Sequence, residues 1–447
     1  MPASTLIRRE GTLTMERVPL PQIAHTYGTP CYAYSRAQIE RQYRRWDSAF
    51  GDHPHLVCYA LKANATAGVI ELLAAQGSGF DAVSIGEVIR AVRAGGDPKR
   101  ICFSGVGKSR QEMRIALALG IRCFNAESPA ELARLNAVAG EMGKTAPVSL
   151  RIIPDVDAHT HANITTGLRT NKFGIALEEA FELYRRIPTD FPNLEIEGLS
   201  CHIGSQILSI EPFERTCDVV LGFVRRLHEA GVTLRHIDFG GGAGVPYRKG
   251  EKELSPEEVV SLFVRRVRAE APDPDTEIIV EPGRSMIAEA GVLLTTVEYV
   301  KKGPGTFDFC IVDAAMTDLI RPALYGAWHE IVQTGPKTPR PGSLPVTVVG
   351  PVCESSDKLG EGRMLDPEEG DVLAILTAGA YGASMASTFN SRRLPMEVLV
   401  DGSTVTPLRR SAVLEDITEP EIPLGMVKHP PVTPAMLEAA RRAGGRD

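Results

Sequence analysis

The feature that most constrains this chain is a rhythm. Apolar, β-prone runs fall at residues 56–61, 80–83, 101–104, 121–125, 148–153, 196–201, 236–239 and 277–281. Most are separated by stretches of helical period, such as 86–93 and 129–135. Short apolar strands alternating with amphipathic helices predict parallel strands joined by crossover helices. Eight such units over about 250 residues have the count and size of a TIM-like (β/α)8 barrel in the α/β class. An open doubly wound sheet is the competing topology, and the count of eight favours the barrel. After residue 287 the texture changes. Runs at 291–300, 307–312, 346–349, 371–377 and 396–400 follow one another with turns and few helices. They predict a second, mostly antiparallel β domain. The expected division is a barrel over 35–287, a β domain built from 1–34 plus 288–425, and a tail over 426–447 with a short helix at 434–442. Residues 1–30 are too few for a domain and are expected to add a strand to a later sheet. A helix is expected over 37–48, with Arg41, Arg44 and Arg45 on a solvated face, and a Pro-rich surface loop over 336–345.

Composition removes several classes of function. A net charge of −7 leaves no electrostatic footprint for nucleic acid. No apolar run reaches the roughly 18 residues of a membrane span. The first ten residues lack an apolar signal core, so a cytoplasmic location is expected. The eight cysteines are scattered without a C-x-x-C pair. They read as reduced thiols, not as a disulfide framework or a zinc site.

In a barrel, function gathers at the C-terminal ends of the strands. Lys62 ends the first run, and an amine there suits a Schiff base to an aldehyde cofactor, since burial lowers a lysine pKa. The second run supplies Asp81 and Ser84. The sixth ends in Cys201-His202-Ile203-Gly204-Ser205-Gln206, and the seventh in Asp238-Phe239-Gly240-Gly241-Gly242-Ala243-Gly244. The eighth ends in Glu281-Pro282-Gly283-Arg284. Consecutive glycines let the backbone offer N–H groups to an anion, and barrels often hold phosphate after the seventh strand. A lysine and a phosphate cradle in one mouth suggest pyridoxal 5′-phosphate (PLP), with Glu281 on the ring nitrogen and His202 against the ring face. Gly105-Val106-Gly107-Lys108-Ser109 imitates the end of a P-loop. The glycine that pattern requires is Cys102 here, so nucleotide binding is rejected. His159 and His161 have no carboxylate or cysteine cluster beside them, so no metal is expected.

The segments 59–64, 202–206, 240–242 and 281–284 resemble the barrel-fold PLP-dependent amino-acid decarboxylases, which share their barrel with alanine racemase. The segments 313–325, 329–331, 350–357 and 378–383 resemble the diaminopimelate branch of that family. The resemblance runs over roughly residues 28–415. It implies decarboxylation of meso-2,6-diaminopimelate at its D-centre to L-lysine, the last step of lysine biosynthesis. It assigns the Schiff base to Lys62, and cofactor binding to Asp81, His202, Ser205, Gly241, Gly242, Glu281, Gly283, Arg284 and Tyr381. Substrate binding falls to Arg284, Arg321, Tyr325, Glu354 and Tyr381. Cys353 becomes the proton donor, reaching the site from the other subunit of a head-to-tail homodimer.

The substrate's distal end carries an amine and a carboxylate, which fits a guanidinium fork at Arg321 and an anion at Glu354. If Arg321 opens a helical turn with Pro322 at its first position, Tyr325 shares its face. Three positions depart from the family pattern. Ser356 stands where glycine is usual, Glu289 for asparagine and Phe389 for tyrosine. Three alternatives remain: a sister decarboxylase, which should lack the Arg321–Tyr325 pair; a racemase, which should place an arginine at the ring nitrogen; and a regulatory pseudoenzyme, which can lose Lys62 or Cys353.

Overall fold

The computed structural model describes residues 5–157, 172–303, 305–336 and 344–409, together with Asp416. The expected helix at 434–442, the His159 and His161 pair, and much of the Pro-rich loop lie outside the described residues. By contacts the chain divides into two units, Met1–Ala412 and Val413–Asp447. The barrel and the second sheet both belong to the first.

Eight parallel strands close on themselves. In chain order they are His55–Ala60, Gly79–Ala82, Ile101–Phe103, Cys123–Ala126, Ala146–Ile153, Leu194–Cys201, His236–Asp238 and Glu277–Val280. Each pairs in parallel with the next, and the eighth pairs with the first, so no edge is left open. The doubly wound alternative is thereby excluded. Local signals place the helices. Ser84, Ser109, Ser128 and Ser255 each accept a backbone N–H at the start of one, and Ser109 with Glu112 forms a capping box. Tyr59, Phe80, Phe103, Phe124 and Phe239 are fully buried in the main core. Arg45 is only partly the solvated residue expected: it ion-pairs with Glu253 and Glu257.

The second sheet is organised on the long strand Gly291–Lys302. It pairs antiparallel with Asp308–Val312, with Val372–Ile375 and with Cys31–Ser35. Most of its ladders are antiparallel. Asp308–Val312 with Val346–Val349, and Met396–Asp401 with Cys31–Ser35, are parallel. The first thirty residues do not feed this sheet as expected. Leu6–Arg9, Thr12–Met15 and Val18–Pro19 make a small sheet of their own, and the strand that joins the larger sheet begins at Cys31. Among the described residues, no helix is long and apolar enough to cross a membrane.

Candidate active site

A cavity of about 740 Å³ opens at the C-terminal rim of the barrel and is lined by Lys62, Arg151, His202, Ser205, Gly242, Tyr247, Glu281, Gly283, Arg284, Arg321, Tyr325 and Tyr381. Parallel strands all end on one rim, which is why residues more than two hundred positions apart meet there. Lys62 sits in a single 3₁₀ turn, Leu61–Ala63, directly after the first strand. Its side chain is 35 % exposed, and its Nζ donates to Asp81 Oδ2 at 2.6 Å. Asp81 arrives because it pairs in register with Ala60.

The expectation for the lysine pKa is corrected here. Burial does push the Lys62 ammonium down, but the carboxylates of Asp81 and Glu281 outweigh it, and the net shift is upward. Asp81, opposed by its own burial, is held low by Lys62. Glu281 is pushed well above the carboxylate range, first by burial and then by Asp238 and Asp81. Burial and the neighbouring Cys102 raise Asp238 to about 7. A crowd of acids around one lysine fits a cationic heterocycle better than a structural core.

His202 follows the sixth strand. The Gly241 N–H donates to its Nδ1 at 3.2 Å, so Nε2 carries the proton. Burial, then Lys62 and Arg151, hold His202 down to about 3, which keeps it a neutral ring. The glycine run cannot be replaced. A Cβ on Gly241 would strike the Glu281 carbonyl, and one on Gly242, at φ +118°, would lie 2.7 Å from the Gly204 carbonyl oxygen. Arg284 Nη2 donates to Ser205 Oγ at 3.0 Å and its Nη1 to the Tyr247 hydroxyl at 2.8 Å. Tyr381 holds a left-handed backbone, φ +56°, with its N–H on the Ala63 carbonyl at 2.8 Å and its ring 4.9 Å from the Arg284 guanidinium.

Arg321 opens the short helix Arg321–Tyr325, and Tyr325 shares its face toward the cavity. Pro322 is the second residue of that helix, not the first. Cys353 and Glu354 are not among the described residues lining the cavity. Both are exposed, and the Cys353 thiol lies 3.3–3.4 Å from the Asn390 amide. Ser356 has no positive φ, so its backbone does not demand the glycine usual there. Glu289 and Phe389 are exposed. Ser84 caps a helix, away from the cavity lining. Lys108 of the rejected P-loop imitation is buried and held by Glu131 and by the Gly105 and Asn125 carbonyls. Tyr247, Arg151 and Trp328 line the cavity but escaped the sequence reading. Tyr247 stands just past the glycine run, which was the one signal for it.

Fold and donor set together define a barrel enzyme built around PLP: an amine, a glycine-lined anion cradle, a neutral imidazole and a buried acid face one cavity. Residues 36–288 match the pyridoxal-binding domain of the pyridoxal-dependent decarboxylases. Diaminopimelate decarboxylase of Vibrio cholerae is 49 % identical over 411 residues, covering 92 % of this chain and 96 % of that protein. The enzyme of the same name from Pseudomonas aeruginosa is 48 % identical over 413 residues, 92 % and 97 % of the two chains. The crystal structure of Helicobacter pylori diaminopimelate decarboxylase complexed with L-lysine is 40 % identical, with a TM-score of 0.84 over 89 % of this chain and 98 % of that one. The chain belongs to the diaminopimelate decarboxylases.

Proposed function

We propose that this chain removes the carboxylate at the D-centre of meso-2,6-diaminopimelate and releases L-lysine and carbon dioxide, with PLP as cofactor. The observation that carries the reading is the joint presence, in one cavity, of Lys62, Glu281 and Gly242 with the guanidinium of Arg321. The first three account for the cofactor. The fourth suits a substrate with a second carboxylate, which ornithine and lysine lack.

When bound, PLP supplies an electron sink for the pair left behind by departing carbon dioxide. Lys62 would anchor its aldehyde, with Asp81 holding the lysine ammonium until then. Gly241, Gly242, Gly283, Ser205 and Arg284 would hold the phosphate. Glu281 would receive the ring nitrogen, His202 would offer the ring an uncharged plane, and Tyr381 would border cofactor and substrate. Arg321 and Tyr325, with Arg284, orient the substrate. Cys353 delivers the proton to the carbon that has lost its carboxylate, and Glu354 receives the distal ammonium. Their exposure on this chain, away from its own cavity, favours delivery from a second copy in a homodimer. The charge balance favours an enzyme without nucleic-acid partners, and a biosynthetic role on a free amino acid favours the cytoplasm as its location.

The test is to supply the purified protein and PLP separately with diaminopimelate, lysine, ornithine and arginine, and to measure carbon dioxide. Release from diaminopimelate is expected. Release from ornithine alone would overturn the substrate assignment.

A further inference from the structure

Arg321 is held by two side chains, His329 and Tyr247. Its Nη1 lies 2.8 Å from His329 Nε2. His329 Nδ1 lies 2.9 Å from the Leu376 carbonyl oxygen. A carbonyl only accepts, so Nδ1 carries the proton and Nε2 turns its lone pair to the arginine N–H. His329 is fully buried; burial, then the Arg321 charge, hold it down to about 3, so this tautomer persists at neutral pH. Tyr247 packs against both. Its ring centroid is 4.6 Å from the Arg321 guanidinium carbon, and its ring meets His329 edge-on at 5.2 Å.

The choice of an imidazole has a physical reason. A carboxylate at this place would orient Arg321 equally well, but it would neutralise the guanidinium and compete with an incoming carboxylate. A neutral acceptor fixes the direction of the fork and leaves its charge and remaining N–H groups for the ligand. We propose that His329 is a positioning residue that aims the Arg321 fork and thereby sets the preference for substrates with a distal carboxylate. This rests on the reading of Arg321 given above.

The experiment uses the PLP-loaded enzyme and three readouts: KM and kcat for diaminopimelate, competitive inhibition by L-lysine, and inhibition by 1,5-diaminopentane, which is lysine without its carboxylate. His329→Leu should raise KM and the lysine inhibition constant about tenfold or more, the scale of a hydrogen bond to a charged group. The diaminopentane constant and the cofactor absorbance titration should not move. His329→Gln, whose amide oxygen can reach the place of Nε2, should recover most of the loss. His329→Glu keeps an acceptor but cancels the charge, so it should again weaken lysine. Should His329→Leu not fold, the Gln and Glu variants decide, and lysine binding as in wild type for His329→Glu would overturn the inference. Equal losses for lysine and diaminopentane would mark His329 as merely structural. If Arg321→Ala raises KM and His329→Leu does not, this inference alone falls. If Arg321→Ala leaves KM unchanged, the reading of Arg321 falls and takes this inference with it.

Discussion

Asp238 shows what a sequence hides at the scale of one residue. It stands inside a legible motif, yet its titration is set first by its own complete burial and then by Cys102 from another strand. Unfolded, an aspartate titrates near 3.9; folded, Asp238 is raised to about 7. The folded state therefore holds the proton more tightly, and the stability this contributes is full below about pH 4 and lost as pH rises through 7. Asp238→Asn keeps the acceptor for the Gly240 N–H, 2.8 Å from Oδ1, and cannot ionise. In cofactor-free protein, wild type should lose more thermal stability than Asp238→Asn between about pH 5 and pH 8. Parallel melting curves across that range would refute the assigned proton. The same reasoning explains Lys62. Its place at a strand end was readable, but the direction of its shift was not, because Asp81 meets it only through the register of two neighbouring strands.

At the scale of elements, the barrel rim is a ring of strand ends, and most of them are legible in the βα rhythm. What it could not give is how the loops beyond those ends are pinned. Glu127, directly after the fourth strand, does this. Its carboxylate takes the Gly105 N–H at 2.9 Å and the Gly174 N–H at 3.1 Å, and it pairs with Arg151 of the fifth strand at 3.2 Å. Three segments of the cavity wall thus hang on one buried acid. Nothing in local composition marks Glu127, since its partners lie 22, 24 and 47 residues away. Removing Glu127 leaves two backbone N–H groups without their acceptor and the cavity-lining Arg151 without its partner, at about 1–3 kcal/mol for a buried donor left unpaired. Glu127→Ala should therefore melt well below wild type and bind PLP more weakly, while Glu127→Gln, which keeps a hydrogen-bond acceptor, should fall between the two. Thermal melts with and without PLP test this, and an alanine variant melting like wild type would show that the staple carries no weight.

At the scale of the whole molecule, ten of the proposed site residues line one cavity, and Asp81 and Gly241 reach its lining through their hydrogen bonds to Lys62 and His202, whereas Cys353 and Glu354 stand apart from it. Those two sit on a loop that Asp357 fixes by accepting the Met316 and Val352 N–H groups at 2.6 and 2.8 Å. An ordered loop away from its own cavity is what the proposed delivery from a second copy requires. Pairing two copies head to tail would let each give its Cys353 to the other's Lys62. The pairing is testable without a structure of the assembly. Lys62→Ala and Cys353→Ala should each be inactive alone. If the two variants are unfolded together and refolded, or co-expressed, about half of the dimers are mixed by random assortment. In each mixed dimer, the Cys353→Ala chain still has its lysine and borrows a cysteine from its partner, whereas the other cavity lacks Lys62. One site in two is whole, so activity should return to about a quarter of the wild-type level. If each chain uses its own cysteine, no combination contains a complete site, and mixing restores nothing.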